Sequence, residues 1–208
     1  HECSSAASDV YKRQVSGAGI TWQELDQRSN QVAQLLYACG LRPGDHISLL
    51  MENDLRYFEI AWGAYRSGLY ITCINRYLTA AEAAYIVNDS NSQALFASSA
   101  LDIAAALPEL LANCPHRFIK GDATSDFEDY DAALEAHPTT PLAEQPAGDS
   151  MLYSSGTTGQ PKGIKRPLSG QHVSAGIPGV EPDNPYGINA QSIYLSPAPL
   201  YHAAPFGY

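Results

Sequence analysis

Tyr153-Ser154-Ser155-Gly156-Thr157-Thr158-Gly159-Gln160-Pro161-Lys162-Gly163 is the most informative stretch of this chain. Its three glycines permit positive φ and close approach of backbone to a ligand. Successive amides can then point into one concavity and bind anionic oxygens. Ser154, Ser155, Thr157 and Thr158 supply donors and lone pairs, and Lys162 supplies a mobile point charge suited to phosphate. Such a loop can hold the β- and γ-phosphates of a nucleotide. It is not the usual P-loop, which places four residues between its glycines and ends Gly-Lys-Ser/Thr; here Lys162 stands between Pro161 and Gly163. Nor does a Gly-x-Gly-x-x-Gly dinucleotide fingerprint follow any predicted strand. The plain alternative is a Gly/Ser/Thr linker. Two features argue against it: a strand, Ser150 to Tyr153, runs straight in, and the basic pair Lys165-Arg166 follows the Pro-Lys-Gly ending.

Upstream, helices and strands alternate. Thr21-Trp22-Gln23-Glu24 reads as a capping box. Leu25, Val32, Leu35 and Leu36 then recur at helical spacing up to Gly40, which offers a left-handed stop. His46 to Met51 is a short apolar run, expected as a buried strand. The pattern predicts helix from Leu55 to Ser67, strand from Leu69 to Ile74, and a helix capped by Thr79 and running through Val87. Strand Gln93 to Ala97, helix Ala100 to Leu111, strand Arg117 to Lys120 and helix Phe127 to Ala136 follow. His137 to Gly148, rich in Pro, Thr and Ala, reads as a surface connection. Strands separated by helices of about 10–15 residues predict an α/β fold of βαβ units around a mostly parallel sheet.

The bulk properties narrow the function classes. The chain of 208 residues is 45% hydrophobic and 16% charged, which suits a packed globular fold. A net charge of −10 disfavours nucleic acid and anionic membrane surfaces as principal partners. The local exception is Lys162, Lys165 and Arg166, three of the twelve basic residues within five positions. Cys3, Cys39, Cys73 and Cys114 have no Cys-x-x-Cys spacing, so reduced, buried thiols are expected rather than structural zinc or disulfides. No apolar run reaches bilayer length. With no targeting signal, the expected location is cytoplasmic. His1 to Gln14 lacks the apolar segment of a signal peptide and any periodicity linking it to the rest of the chain. Residues 1–14 are set aside as a cloning or assembly artefact or a disordered tail.

The loop "YSSGTTGQPKG" resembles the signature loop of the adenylate-forming (AMP-binding) superfamily, which includes acyl-CoA synthetases, luciferases and the adenylation domains of peptide synthetases. "YLSPAPLYHAAPFGY" (Tyr194–Tyr208) resembles that family's next motif, which carries an aromatic or His residue beside the substrate. "TWQELDQRSNQVAQLL" and "GLRPGDHISLLMEN" resemble its opening. The likeness spans about Ile20 to Tyr208 and is nearest to acyl-CoA synthetases of the fatty-acid–CoA ligase type. It implies that residues 15–208 are the truncated N-terminal part of the large domain, without the C-terminal domain.

Carried over by position, the resemblance makes Ser154, Ser155, Gly156, Thr157, Thr158, Gly159 and Lys162 the binding set for ATP phosphates. Thr157, Thr158, Lys162 and His202 become the catalytic candidates, with His202 near the carboxylate and α-phosphate. Hydroxyls near the loop's start could help position Mg²⁺, and no residue is assigned as the metal ligand. Tyr201 and Phe206 are candidates to line an acyl pocket. The implied reaction activates a small-molecule carboxylic acid, a fatty acid or related acyl group, in two steps. ATP and the acid give an acyl-adenylate and pyrophosphate, and coenzyme A then displaces AMP. The later motifs of the family are not among these residues, so this piece is expected to be inactive alone and to leave a sheet edge and an apolar face unpaired. Two other readings stay open: an amino-acid-activating adenylation domain, and a non-catalytic nucleotide-binding module. A phosphotransferase would need acidic metal ligands, for which Asp45, Glu52 and Asp149 are candidates only by elimination. Oligomeric state is not legible.

Overall fold

Both threonine caps form. Thr21 Oγ1 accepts from the Glu24 amide at 3.1 Å while Glu24 Oε2 accepts from the Thr21 amide at 2.8 Å, opening α1 (Trp22–Ala38). Thr79 and Glu82 repeat the exchange at the start of α3 (Ala80–Asp89). Each cap satisfies amides that have no partner within the first helical turn. The computed structural model describes residues 10–13, 19–154, 160–175 and 198–203.

Seven strands make the main sheet: β3 (His46–Leu50), β4 (Tyr70–Cys73), β5 (Ser92–Ser98), β6 (His116–Lys120), β7 (Glu128–Asp129), β8 (Asp149–Ser154) and β9 (Lys162–Lys165). Their order is β7-β6-β5-β3-β4-β8-β9, with every pairing parallel except β8–β9. The expected α/β architecture is therefore present, with an antiparallel edge. Helices cover both faces. On one, α1, α2 (Arg56–Tyr65) and α4 (Tyr130–Glu135) bury Val32, Leu36, Ile60 and Leu134 against Ile47, Leu49, Phe96 and Phe118. On the other, α3 and two short 3₁₀ turns cover Leu50, Ile74, Leu95 and Ile119. Burial on both faces leaves all five residues of β3 buried, and the one hydroxyl among them, on Ser48, bonds to Ser92 at 2.7 Å.

Three expectations need correction. Ala100–Leu111 is not an α-helix but two 3₁₀ turns, Asp102–Ala106 and Pro108–Leu110. Pro108 lacks the amide that would bond to Ala104, and its ring crowds that carbonyl. The helix expected from Phe127 starts later, because the Asp129 carboxylate caps it at the Ala132 amide at 2.7 Å. Glu128–Asp129 instead adds the short parallel strand β7. Finally, Val10–Arg13, within the segment set aside on sequence, forms β1, which pairs antiparallel with β2 (Gly19–Thr21).

Gly68 shows how the turn into β4 is built. It has φ +70°, and a Cβ there would lie 2.9 Å from Pro146 Cγ and 3.0 Å from Pro43 Cβ. Only glycine lets the chain turn under those two prolines.

Candidate functional site

The Tyr153–Gly163 motif is mounted on a hairpin. β8 and β9 run antiparallel with Ser154 opposite Lys162, Tyr153 opposite Gly163, Leu152 opposite Ile164 and Met151 opposite Lys165. Ser154 and Lys162, far apart in a helix or an extended linker, thus become direct neighbours, and both are exposed at the loop's mouth. Lys162 makes no ion pair among the described residues. Ser155, Gly156, Thr157, Thr158 and Gly159 lie outside the described residues, as do residues 194–197 and Phe206.

The hairpin opens at the C-terminal end of the sheet. There β3 leads to α2 on one face, whereas its neighbour β4 leads to α3 on the other. Adjacent strands whose connections leave on opposite faces part at their C-terminal ends, and open α/β sheets bind ligands in that crevice. β8 lies beside β4, so the Ser154–Lys162 mouth adjoins it.

Side chains from remote positions fix the hairpin. Tyr85, on α3, donates its hydroxyl to the Pro161 carbonyl at 3.2 Å, holding the loop's exit. The Tyr153 hydroxyl donates to Asp89 Oδ2 at 2.6 Å. Burial, reinforced by that carboxylate, pushes the Tyr153 phenol well above its ordinary value. At the far end Arg166 grips Asp149 with two bonds of 2.9 and 3.0 Å, and Tyr70 donates to the Arg166 carbonyl at 2.6 Å. The Tyr153 ring lies over Gly163: a Cβ there would meet Tyr153 Cζ at 3.0 Å and push the Met151 methyl aside. Gly163→Val is expected to displace that ring and cost about 1–3 kcal/mol, read as a lower denaturation midpoint.

His46 sits at the opposite end of the sheet. Lys165 Nζ is 2.9 Å from His46 Nε2, and an ammonium can only donate, so the imidazole proton sits on Nδ1. Tyr70 stacks on the imidazole with ring centroids 4.8 Å apart. Burial, then the Lys165 charge, lower the His46 pKa from 6.5 to about 4. The folded state therefore binds fewer protons than the unfolded state between about pH 4 and 6.5, so stability is complete above 6.5 and falls as pH falls through that window. From pH 7 to pH 5 the loss should be about 1–2 kcal/mol, and His46→Gln should remove it, which urea midpoints at the two pH values would measure.

His202, exposed, lies on a segment that returns to the C-terminal tip of β3. Leu200 buries itself to 1% exposure in the core beneath α1, α2 and α4. The Leu200 amide donates to Asn53 Oδ1 at 2.9 Å, and the Tyr201 and His202 rings touch with centroids 4.3 Å apart. The acidic residues weighed as metal ligands are otherwise engaged and dispersed. Asp45 accepts from the Arg42 amide at 2.7 Å, Asp149 pairs with Arg166, and Glu52 takes Lys120 Nζ at 2.6 Å. Among the described residues no three His, Cys, Asp or Glu side chains gather as a metal site.

Sequence reasoning missed Tyr70, Tyr85, Asp89 and Asn53. No spacing signals them, since Tyr85 lies 76 residues from its partner Pro161 and Asn53 lies 147 from Leu200.

The profile of the family described as "AMP-binding enzyme" matches residues 5–208. The fatty acid–[acyl-carrier-protein] ligase ScoC of Streptomyces coeruleorubidus is 33% identical over 71% of this chain and 28% of its own length. The long-chain-fatty-acid–CoA ligase FadD13 of Mycobacterium tuberculosis is 29% identical over 89% of this chain and 36% of its own. Among solved structures, the anthranilate CoA ligase AuaEII in complex with anthranoyl-AMP superposes with a TM-score of 0.66 and 26% identity, covering 71% of this chain and 29% of that one. The chain thus spans about a third of the length of these relatives.

Proposed function

This chain belongs to the AMP-binding enzyme family, and from that premise we propose that it is the N-terminal part of an ATP-dependent acid–thiol ligase of the acyl-CoA synthetase type. The observation that carries the reading is the cross-strand pair Ser154–Lys162, an exposed hydroxyl and an exposed ammonium at the mouth of the loop, beside the sheet's ligand crevice. A cation free of carboxylate partners among the described residues, next to a hydroxyl, fits a polyphosphate.

In the proposed reaction a carboxylate oxygen attacks the α-phosphorus of ATP. The new acyl–O–P bond forms as the bond to the β-phosphate breaks, and pyrophosphate leaves. A thiol sulfur, that of coenzyme A, then attacks the acyl carbon and AMP departs, the thiol proton passing to solvent. Both reactants of the first step are anions, so positioning and charge neutralisation carry the catalysis. Lys162 neutralises the leaving pyrophosphate, the loop hydroxyls and amides from Ser154 to Gly159 hold the phosphates, and His202 stands by the carboxylate. Bound Mg²⁺ would supply further charge neutralisation, and the Ser154 hydroxyl, like others at the loop's start, suits its coordination. The named activities of the relatives, on fatty acids and on anthranilate, support a carboxylic acid as substrate, with an acyl chain the first candidate.

No described helix is long and apolar enough to cross a membrane; we place the parent protein in the cytoplasm. Because β1 pairs with β2, the proposed domain takes in Val10–Arg13 and does not begin at residue 15, and neither half-reaction is completed by this part alone. The test is pyrophosphate release from ATP by the full-length parent across a panel of fatty, aromatic and amino acids, with and without coenzyme A. Release that depends on one class of acid is expected. A folded parent that binds ATP yet releases pyrophosphate with no acid would favour a nucleotide-binding module instead.

A further inference from the structure

The segment carrying His202 is held by a loop from the far end of the chain. After β3, residues 52–54 turn across the C-terminal edge of the sheet. Lys120 Nζ clamps the two flanking carboxylates, at 2.6 Å from Glu52 Oε1 and 2.7 Å from Asp54 Oδ2. Asn53, between them, faces the returning segment. Its Oδ1 accepts from the Leu200 amide at 2.9 Å, and its Nδ2 donates toward the Ala198 carbonyl at 3.4 Å. Leu200 itself is a fully buried knob, and the His202 amide bonds back to the Pro199 carbonyl at 3.2 Å. His202 stands only two positions beyond the anchored Leu200, too few to absorb a shift of the anchor.

We propose that Asn53 is a positioning residue: it locks the Ala198–Leu200 backbone to the rigid 52–54 loop and so sets where His202 stands at the crevice. This rests on the role given to His202 above. The amide is suited to the task because it offers an acceptor and a donor to one backbone at once. The substitution Asn53→Asp would keep the shorter bond, to Leu200, and set an anionic oxygen against the Ala198 carbonyl. Alanine would leave both backbone groups unpaired.

The test compares Asn53→Ala, Asn53→Asp, His202→Ala and the double variant Asn53→Ala/His202→Ala in the full-length parent, by pyrophosphate-release kinetics and by hydrogen exchange over residues 198–203. Asn53→Ala should lower kcat about 10- to 100-fold with little change in the KM for ATP, since displacing a reacting group by about 1 Å can cost that much. Asn53→Asp should lose less. The double variant should be no slower than His202→Ala alone, and exchange over 198–203 should rise in Asn53→Ala while the thermal midpoint stays near that of the wild type. Unchanged exchange, or losses that multiply in the double variant, would overturn this inference and leave the adenylation reading intact. Wild-type turnover in His202→Ala would overturn the His202 role and this inference together. A parent that releases no pyrophosphate with any acid would overturn the functional reading, and unchanged exchange in Asn53→Ala would then still refute the anchor.

Discussion

Replacing Lys162 with alanine in the full-length parent is expected to slow acid-dependent pyrophosphate release about 100- to 1,000-fold, the usual cost of one lost donor aimed at developing charge. The reason is local. Lys162 stands opposite Ser154 at the mouth, so its ammonium is the basic charge of the hairpin nearest the loop. Lys165 is the control. It lies at the other end of β9, about 10 Å along the strand, and is turned to His46. Lys165→Met should therefore leave release within a few-fold of the wild type. Equal losses in the two variants would show that the hairpin's overall charge, not a placed ammonium, matters. The pair Thr157→Ala with Thr158→Ala should match Lys162→Ala in direction, with denaturation midpoints close to the wild type.

The largest stability effect is expected at Glu59. This carboxylate is 5% exposed on α2. It accepts from Arg28 Nε at 3.2 Å on α1 and from the Tyr130 hydroxyl at 3.0 Å on α4. Asp131 joins the same group through Arg28 and, at 3.3 Å, through Arg56. One buried anion thus ties three helices together. Burial, with Glu59 alongside, holds the Tyr130 phenol well above its ordinary pKa. Glu59→Ala strands the buried Tyr130 hydroxyl and takes the buried partner from Arg28, leaving it only the more exposed Asp131, at a cost of about 3–5 kcal/mol. Urea unfolding should show it as a large drop in midpoint, with Glu59→Gln intermediate because the amide keeps both contacts without the charge. A change under about 1 kcal/mol would mean that water satisfies these groups.

The network shows why part of the fold was hidden. On sequence Glu59 is one more polar residue in the Leu55–Ser67 helix, and nothing in its spacing announces burial. Arg28 lies 31 residues away and Tyr130 lies 71. The exposed pair Leu152 and Ile164, at 40% and 62%, is a similar case. Their hydrophobicity was readable, but their pairing on one face followed only from the hairpin. That antiparallel edge did not follow from a pattern of βαβ units, because a four-residue strand with a glycine at its second position carries almost no period.

Local chemistry was legible from the sequence alone. The two threonine caps, the helices they open, and the strands around His46–Leu50 and Ser92–Ser98 each depend on neighbours within a few residues. Backbone propensity, side-chain caps and apolar period encode such elements directly. Tertiary structure alone decided that Lys162 faces Ser154, that Tyr85 and Tyr153 tie the hairpin to α3, and that Asn53 meets Leu200. Those pairings join positions that no local pattern links, most of them tens of residues apart, and packing and sheet register choose them.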